Sequence, residues 1–125
     1  MTKILVVDDD PRNLRLAVAV LEKAGYEVLA AGGGAEGVDM ATAHLPDMIL
    51  MDVLMPRVDG IAALKRLRGD PRTAAIKVAA LTALAMQGDR ERLLAEGFDT
   101  YMSKPIHYKL FLASVAALLG GEASR

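Results

Sequence analysis

Four short runs of strand-like residues each lead to a residue with chemistry to offer. Ile4-Leu5-Val6-Val7 ends on Asp8-Asp9, Met48-Ile49-Leu50-Met51 on Asp52, and Val78-Ala79-Ala80-Leu81 on Thr82, while Thr100-Tyr101-Met102 leads to Ser103-Lys104-Pro105. The first three are continuously apolar and not alternating, which marks strands buried on both faces. Such strands need a helical layer on each side of a parallel sheet, and this limits the fold more tightly than composition does. Ligands of open parallel sheets bind beyond the carboxyl ends of the strands, so these terminal residues are expected to meet in one pocket.

Helical patterns fill the intervals. Leu14, Ala17, Val18 and Leu21 fall at i, i+3, i+4 and i+7, predicting a helix over about Pro11 to Ala24 with Gly25 as its C-cap. Asp10 is expected to cap that helix. Glu27 to Ala31 reads as a strand, and Ala35 to His44 as a weaker helix with Val38 and Ala41 inward, begun after a flexible Gly32-Gly33-Gly34. Pro56 and Asp59-Gly60 mark a loop before a short helix carrying Ile61, Leu64 and Leu67. A further helix ends near Glu96 with Leu93 and Leu94 inward, and the last covers about His107 to Leu119 with Phe111, Val115 and Leu118 on one face. Lys23-Ala24-Gly25-Tyr26 and Ala95-Glu96-Gly97-Phe98 repeat one device: helix end, glycine, aromatic start to a strand. Five strands alternating with five helices give an α/β domain with a doubly wound parallel sheet.

The chain's 125 residues suit one domain and leave no room for a second. Residues 1–119 are expected to form it, with 120–125 as a tail or linker. No apolar stretch approaches the ~20 residues of a membrane helix, and the N-terminus opens on a strand pattern instead of a signal peptide. Membrane insertion is therefore not expected. Lys and Arg total 15 against 16 Asp and Glu, which argues against direct binding of nucleic acid. The absence of cysteine excludes disulfides, a thiol nucleophile and cysteine-based metal centres. The cytoplasm is the simplest compartment.

Asp8, Asp9 and Asp52 on adjacent strand ends would repel one another unless a cation intervened. A few oxygen ligands completed by water suit Mg²⁺. A carboxylate can also act as nucleophile toward phosphorus, giving an acyl phosphate. Phosphoryl transfer needs positioning and charge neutralisation, which a metal, the Lys104 ammonium and the Thr82 hydroxyl could supply.

In order and spacing, Ile4-Leu5-Val6-Val7-Asp8-Asp9, Met51-Asp52-Val53-Leu54-Met55-Pro56, Leu81-Thr82-Ala83 and Ser103-Lys104-Pro105 resemble the receiver domain of bacterial response regulators. The resemblance covers essentially the whole chain and implies a flavodoxin-like (βα)5 fold with strand order 2-1-3-4-5. It implies that Asp52 accepts phosphate from a histidine kinase or histidine phosphotransfer protein. It also implies that Asp9, Asp52 and the Leu54 carbonyl bind Mg²⁺ directly, with Asp8 acting through water. Thr82 and Lys104 would hold the phosphoryl group, Tyr101 would be the switch aromatic, and the Lys104-Pro105 bond is usually cis in such domains. Asn13 and the segment Thr82 to Asp89 resemble hybrid-kinase receivers and single-domain regulators of the DivK kind.

These likenesses suggest a phosphorylation-switched signalling module, not an enzyme acting on an external substrate. Its partner face is expected around Asn13, Arg90, Tyr101, Pro105, Ile106 and His107, acting on a downstream target protein. Leu54 and Leu84 flank the approach of hydrolytic water and cannot orient it by hydrogen bonding, so a long-lived phosphate is expected. His44 and His107 read as surface residues, and Met55 and Met86 as possible borders of the site. Gly32-Gly33-Gly34 has neither the GxGxxG spacing nor a P-loop lysine. Three alternatives remain open: a receiver fragment of a larger hybrid kinase or regulator, a small haloacid-dehalogenase-like phosphatase using Asp8, and a flavin carrier. Arg12 and the missing cap insertion count against the phosphatase, and the acidic first loop against flavin phosphate.

Overall fold

The computed structural model describes residues 2–55, 57–82, 89–104 and 107–120. Pro56, Leu84, Met86, Pro105, Ile106, the Lys104-Pro105 bond and the tail beyond Gly120 therefore lie outside the described residues.

Among the described residues, strands and helices alternate. They run β1 (Lys3–Val7), α1 (Pro11–Lys23), β2 (Glu27–Ala31), α2 (Gly34–His44), β3 (Met48–Asp52), α3 (Gly60–Arg68), β4 (Lys77–Thr82), α4 (Asp89–Glu96), β5 (Thr100–Ser103) and α5 (Tyr108–Leu118). The sheet is wholly parallel in the order β2-β1-β3-β4-β5, as the motif resemblance implies. Its register sets Val7 beside Met51, Asp52 beside Leu81, and Thr82 beside Ser103.

Successive side chains on a strand point to opposite faces, and both faces are buried. Leu5, Val7, Ile49, Met51, Val78 and Ala80 join Ala41, Leu64, Leu67 and Leu93 from α2, α3 and α4. Ile4, Val6, Met48, Leu50, Ala79 and Leu81 join Ala17, Leu21, Phe111 and Val115 from α1 and α5. This two-sided burial accounts for the unbroken apolar runs.

The paired glycine devices end α1 and α4 as the sequence suggests. Gly25 has φ of 99° and Gly97 of 118°, a region open to glycine at little steric cost. Asp10 caps α1, its side chain accepting from the Arg12 amide at 2.9 Å. Two expectations shift. Val18 and Val20 are both half-buried, and it is Val20 that packs against the core cluster, together with Tyr26 and Val28. Gly34 is not part of a flexible loop: it is the buried first residue of α2.

Candidate acidic site at the strand ends

The carboxyl ends of β1, β3, β4 and the segment after β5 place Asp8, Asp52, Thr82 and Lys104 together. Asp8 follows β1, and its amide donates to the Ala31 carbonyl of the neighbouring strand at 3.1 Å. Asp52 is the last residue of β3. Thr82 ends β4 fully buried, and its carbonyl accepts the Lys104 amide at 2.8 Å, tying the lysine to the strand next to Asp52. These positions follow from parallel strands of matched length, each turning outward at the same level of the sheet.

The carboxylates crowd. Asp8, Asp9 and Asp52 each offer an oxygen within 4.8 Å of the others. Asp8 and Asp52 are buried while Asp9 is exposed at the mouth. Lys104 Nζ reaches both buried acids, 2.9 Å from Asp8 Oδ2 and 3.3 Å from Asp52 Oδ2. The Asp10 amide donates to Asp8 Oδ1 at 2.9 Å, and the Leu54 amide to Asp52 Oδ1 at 3.2 Å. Among the described residues, Asp8 Oδ2 nonetheless makes no well-directed hydrogen bond. Its contact with Lys104 is close enough for charge attraction but lies off the hydrogen-bonding direction.

One ammonium does not neutralise this set. Burial, reinforced by the Asp8 charge, pushes the Asp52 carboxyl up from 3.8 to about 6, even against the pull of Lys104. Burial works to lower the Lys104 ammonium, but Asp8 and Asp52 more than offset this and its pKa is raised. The pocket therefore has the composition to take up a hard cation: three converging carboxylates, one with a buried oxygen lacking a directed hydrogen bond among the described residues and one whose pKa burial pushes up.

The remaining sequence-derived candidates lie around this centre. Leu54 is 57 % exposed beside Asp52, and Met55 is buried just beyond it. Tyr101 is half-buried and lines a groove of about 280 Å³ with Met102, Ser103, His107, Leu110 and Phe111. His107 and Arg90 are exposed, and Asn13 sits half-buried on α1; neither Arg90 nor Asn13 lines that groove.

Sequence reasoning did not single out Gly34 or Gly60 as site-shaping residues. A Cβ on Gly60 would collide with the Asp52 carbonyl oxygen and lie 2.8 Å from Val53 Cα. The Asp59-Gly60 dipeptide read only as a turn signal, because a close approach between distant backbones leaves no local pattern.

Residues 4–116 match the response regulator receiver domain family. The chain is 40 % identical over 121 residues to the polar-differentiation response regulator DivK of Brucella ovis, covering 96 % of this chain and 98 % of that protein. Among solved structures, a putative response regulator from Chloroflexus aurantiacus superposes with a TM-score of 0.89 at 32 % identity, covering 95 % of this chain and 98 % of that one. The receiver domain of a sensor histidine kinase from Pseudomonas aeruginosa, which has a magnesium ion coordinated in its active-site cleft, gives a TM-score of 0.87 at 34 % identity, covering 95 % and 98 %. With the acidic pocket at the predicted strand ends and near full-length agreement in sequence and fold, this chain belongs to the response regulator receiver family.

Proposed function

We propose that the chain is a DivK-like response regulator receiver in which Asp52 accepts a phosphoryl group from the phosphohistidine of a sensor kinase or phosphotransfer protein. The observation that carries the reading is the under-neutralised pocket: Asp52 is buried at the end of the central strand, beside Asp8 and within 3.3 Å of Lys104. An Asp52 carboxylate oxygen bonds to phosphorus as the phosphorus–nitrogen bond to the donor imidazole breaks, and the released imidazole takes a proton from solvent. Lys104 stands ready to pair with the phosphoryl oxygens, and the Thr82 hydroxyl to bond them. Bound by Asp9, Asp52 and the Leu54 carbonyl, with Asp8 acting through water, Mg²⁺ would neutralise the phosphoryl oxygens during transfer. Loss of the phosphoryl group to water is assigned to the same residues.

The DivK-like reading draws on the 40 % identity to DivK of Brucella ovis over 121 residues. Membership of the receiver family sets aside the phosphatase and flavin-carrier alternatives. The output is assigned to a switch at Thr82 and Tyr101, changing the groove that Tyr101 shares with His107 and so the contact with a target protein in the cytoplasm.

Transfer from a radiolabelled phosphohistidine donor tests this reading. In Mg²⁺ buffer the label is expected to leave the donor for the wild-type chain and to stay on the donor in EDTA. Label that moves equally well without a divalent cation would contradict it.

A further inference from the structure

The β3–α3 connection leaves Asp52, carries Leu54, and returns at Gly60. It is fitted to the rest of the molecule at two places where a side chain is missing. At its root, the Gly60 amide donates to the Val53 carbonyl at 3.0 Å and the Gly60 Cα packs on the Asp52–Val53 peptide. At its far limb, the Val58 carbonyl sits on the Cα of Gly34 at the start of α2. A Cβ there would collide with that oxygen and lie 2.9 Å from Val58 Cγ1. Gly34 has no left-handed φ, so the approach and not the backbone angle demands glycine.

Gly34 and Val58 also line an open cleft of about 400 Å³, together with Gly32, Gly33, Glu36 and Arg57. Arg57 adopts a left-handed φ of 65°, a conformation that a non-glycine residue keeps only when its surroundings hold it.

We infer that Gly34 is a positioning residue for the metal and phosphoryl chemistry at Asp52, acting through Val58 and the loop that presents Leu54. This rests on the reading of the site given above, in which the Leu54 carbonyl is a metal ligand. A side chain at position 34 would push the loop and move that carbonyl and the Leu54 amide that donates to Asp52 Oδ1.

The test is Mg²⁺ titration of the full chain followed by amide NMR, comparing wild type, Gly34→Ala and Val115→Ala. Val115 is fully buried against the opposite face of the sheet, so its truncation reports lost stability alone. Gly34→Ala is expected to weaken Mg²⁺ affinity by about tenfold and to shift the Leu54 amide in the metal-free protein. Val115→Ala is expected to change neither. Wild-type protein that binds no Mg²⁺ would overturn the reading of the site. Wild-type protein that binds, with Gly34→Ala binding within about twofold of it and an unmoved Leu54 amide, would overturn this inference alone. Should Gly34→Ala not fold, Val58→Ala decides, since it loosens the same seat without adding an atom. A measurable loss of Mg²⁺ affinity is expected, and no loss rejects the proposal.

Discussion

The two ends of the sheet treat charge in opposite ways. At the amino end, Arg68 donates to the Ala74 and Ile76 carbonyls at 2.9 and 2.6 Å, to the Gly97 carbonyl at 3.1 Å and to Asp99 Oδ2 at 2.8 Å. The same Asp99 oxygen accepts the Val78 amide at 2.8 Å. One cation meets one anion there, and the bonds tie α3 to the segments leading into β4 and β5. At the carboxyl end, three carboxylates converge, Lys104 reaches two of them, Asp8 and Asp52, and among the described residues a buried oxygen of Asp8 lacks a directed hydrogen bond. Charge that is matched and bonded holds elements together. Charge left in surplus at the strand ends gives a ligand something to bind.

If this contrast is right, substitutions at the two ends should separate chemistry from stability. The largest effect is expected at Lys104. Lys104→Ala should slow phosphoryl uptake from acetyl phosphate by about 100-fold, as loss of one transition-state charge partner commonly does. Uptake within a few-fold of wild type would break the contrast at its chemical end.

Arg68→Ala should cost about 2–3 kcal/mol in urea unfolding, since it leaves carbonyls and Asp99 short of a donor in a partly buried setting. Uptake per folded molecule should be unchanged. A kinetic defect as large as that of Lys104→Ala would show that the amino end is not purely structural.

The pH dependence of stability probes the surplus directly. Asp52 titrates near 3.8 as an ordinary carboxyl and at about 6 in the folded protein, so the folded state binds its proton more tightly. Its contribution to stability is therefore greatest below the lower value and falls as pH rises through about 6. In EDTA at pH 7.5, Asp52→Asn should unfold later than wild type by about 1–2 kcal/mol, and the difference should shrink toward pH 4. A difference independent of pH would mean that the carboxylates do not strain the metal-free fold.

The smallest effect is expected at Leu54, whose exposed apolar side chain lies beside Asp52. Leu54→Asn should speed loss of the phosphoryl group a few-fold by giving water a hydrogen-bonding partner. Decay followed by label retention would test this, and unchanged fast decay in both proteins would reject the expectation of a long-lived phosphate.

Periodicity revealed most of the fold, because two-sided burial leaves its mark on β1, β3 and β4. The four observed site strands, β1, β3, β4 and β5, extend the runs read from sequence by one residue at one or both ends. The acidic pocket was also legible, since parallel strands of similar length deliver their terminal residues to one level. The exceptions depend on contacts between distant segments. Arg68 looked like any basic residue at the end of a short helix, yet its partners lie as far along the chain as Asp99. Thr73 is fully buried and donates to the Leu67 carbonyl at 2.7 Å from within a loop with no apolar pattern. Gly34 looked like part of a flexible glycine run because its constraint is the Val58 backbone, 24 residues away (58 − 34).

The central claim, that the surplus charge makes Asp52 a phosphoacceptor, is tested most directly by peptide mapping after reaction with acetyl phosphate. Expected is a phosphoryl group on the peptide holding Asp52, formed in Mg²⁺ and not in EDTA, and lost in Asp52→Asn. A phosphoryl group on Asp8, or wild-type uptake retained by Asp52→Asn, would contradict it.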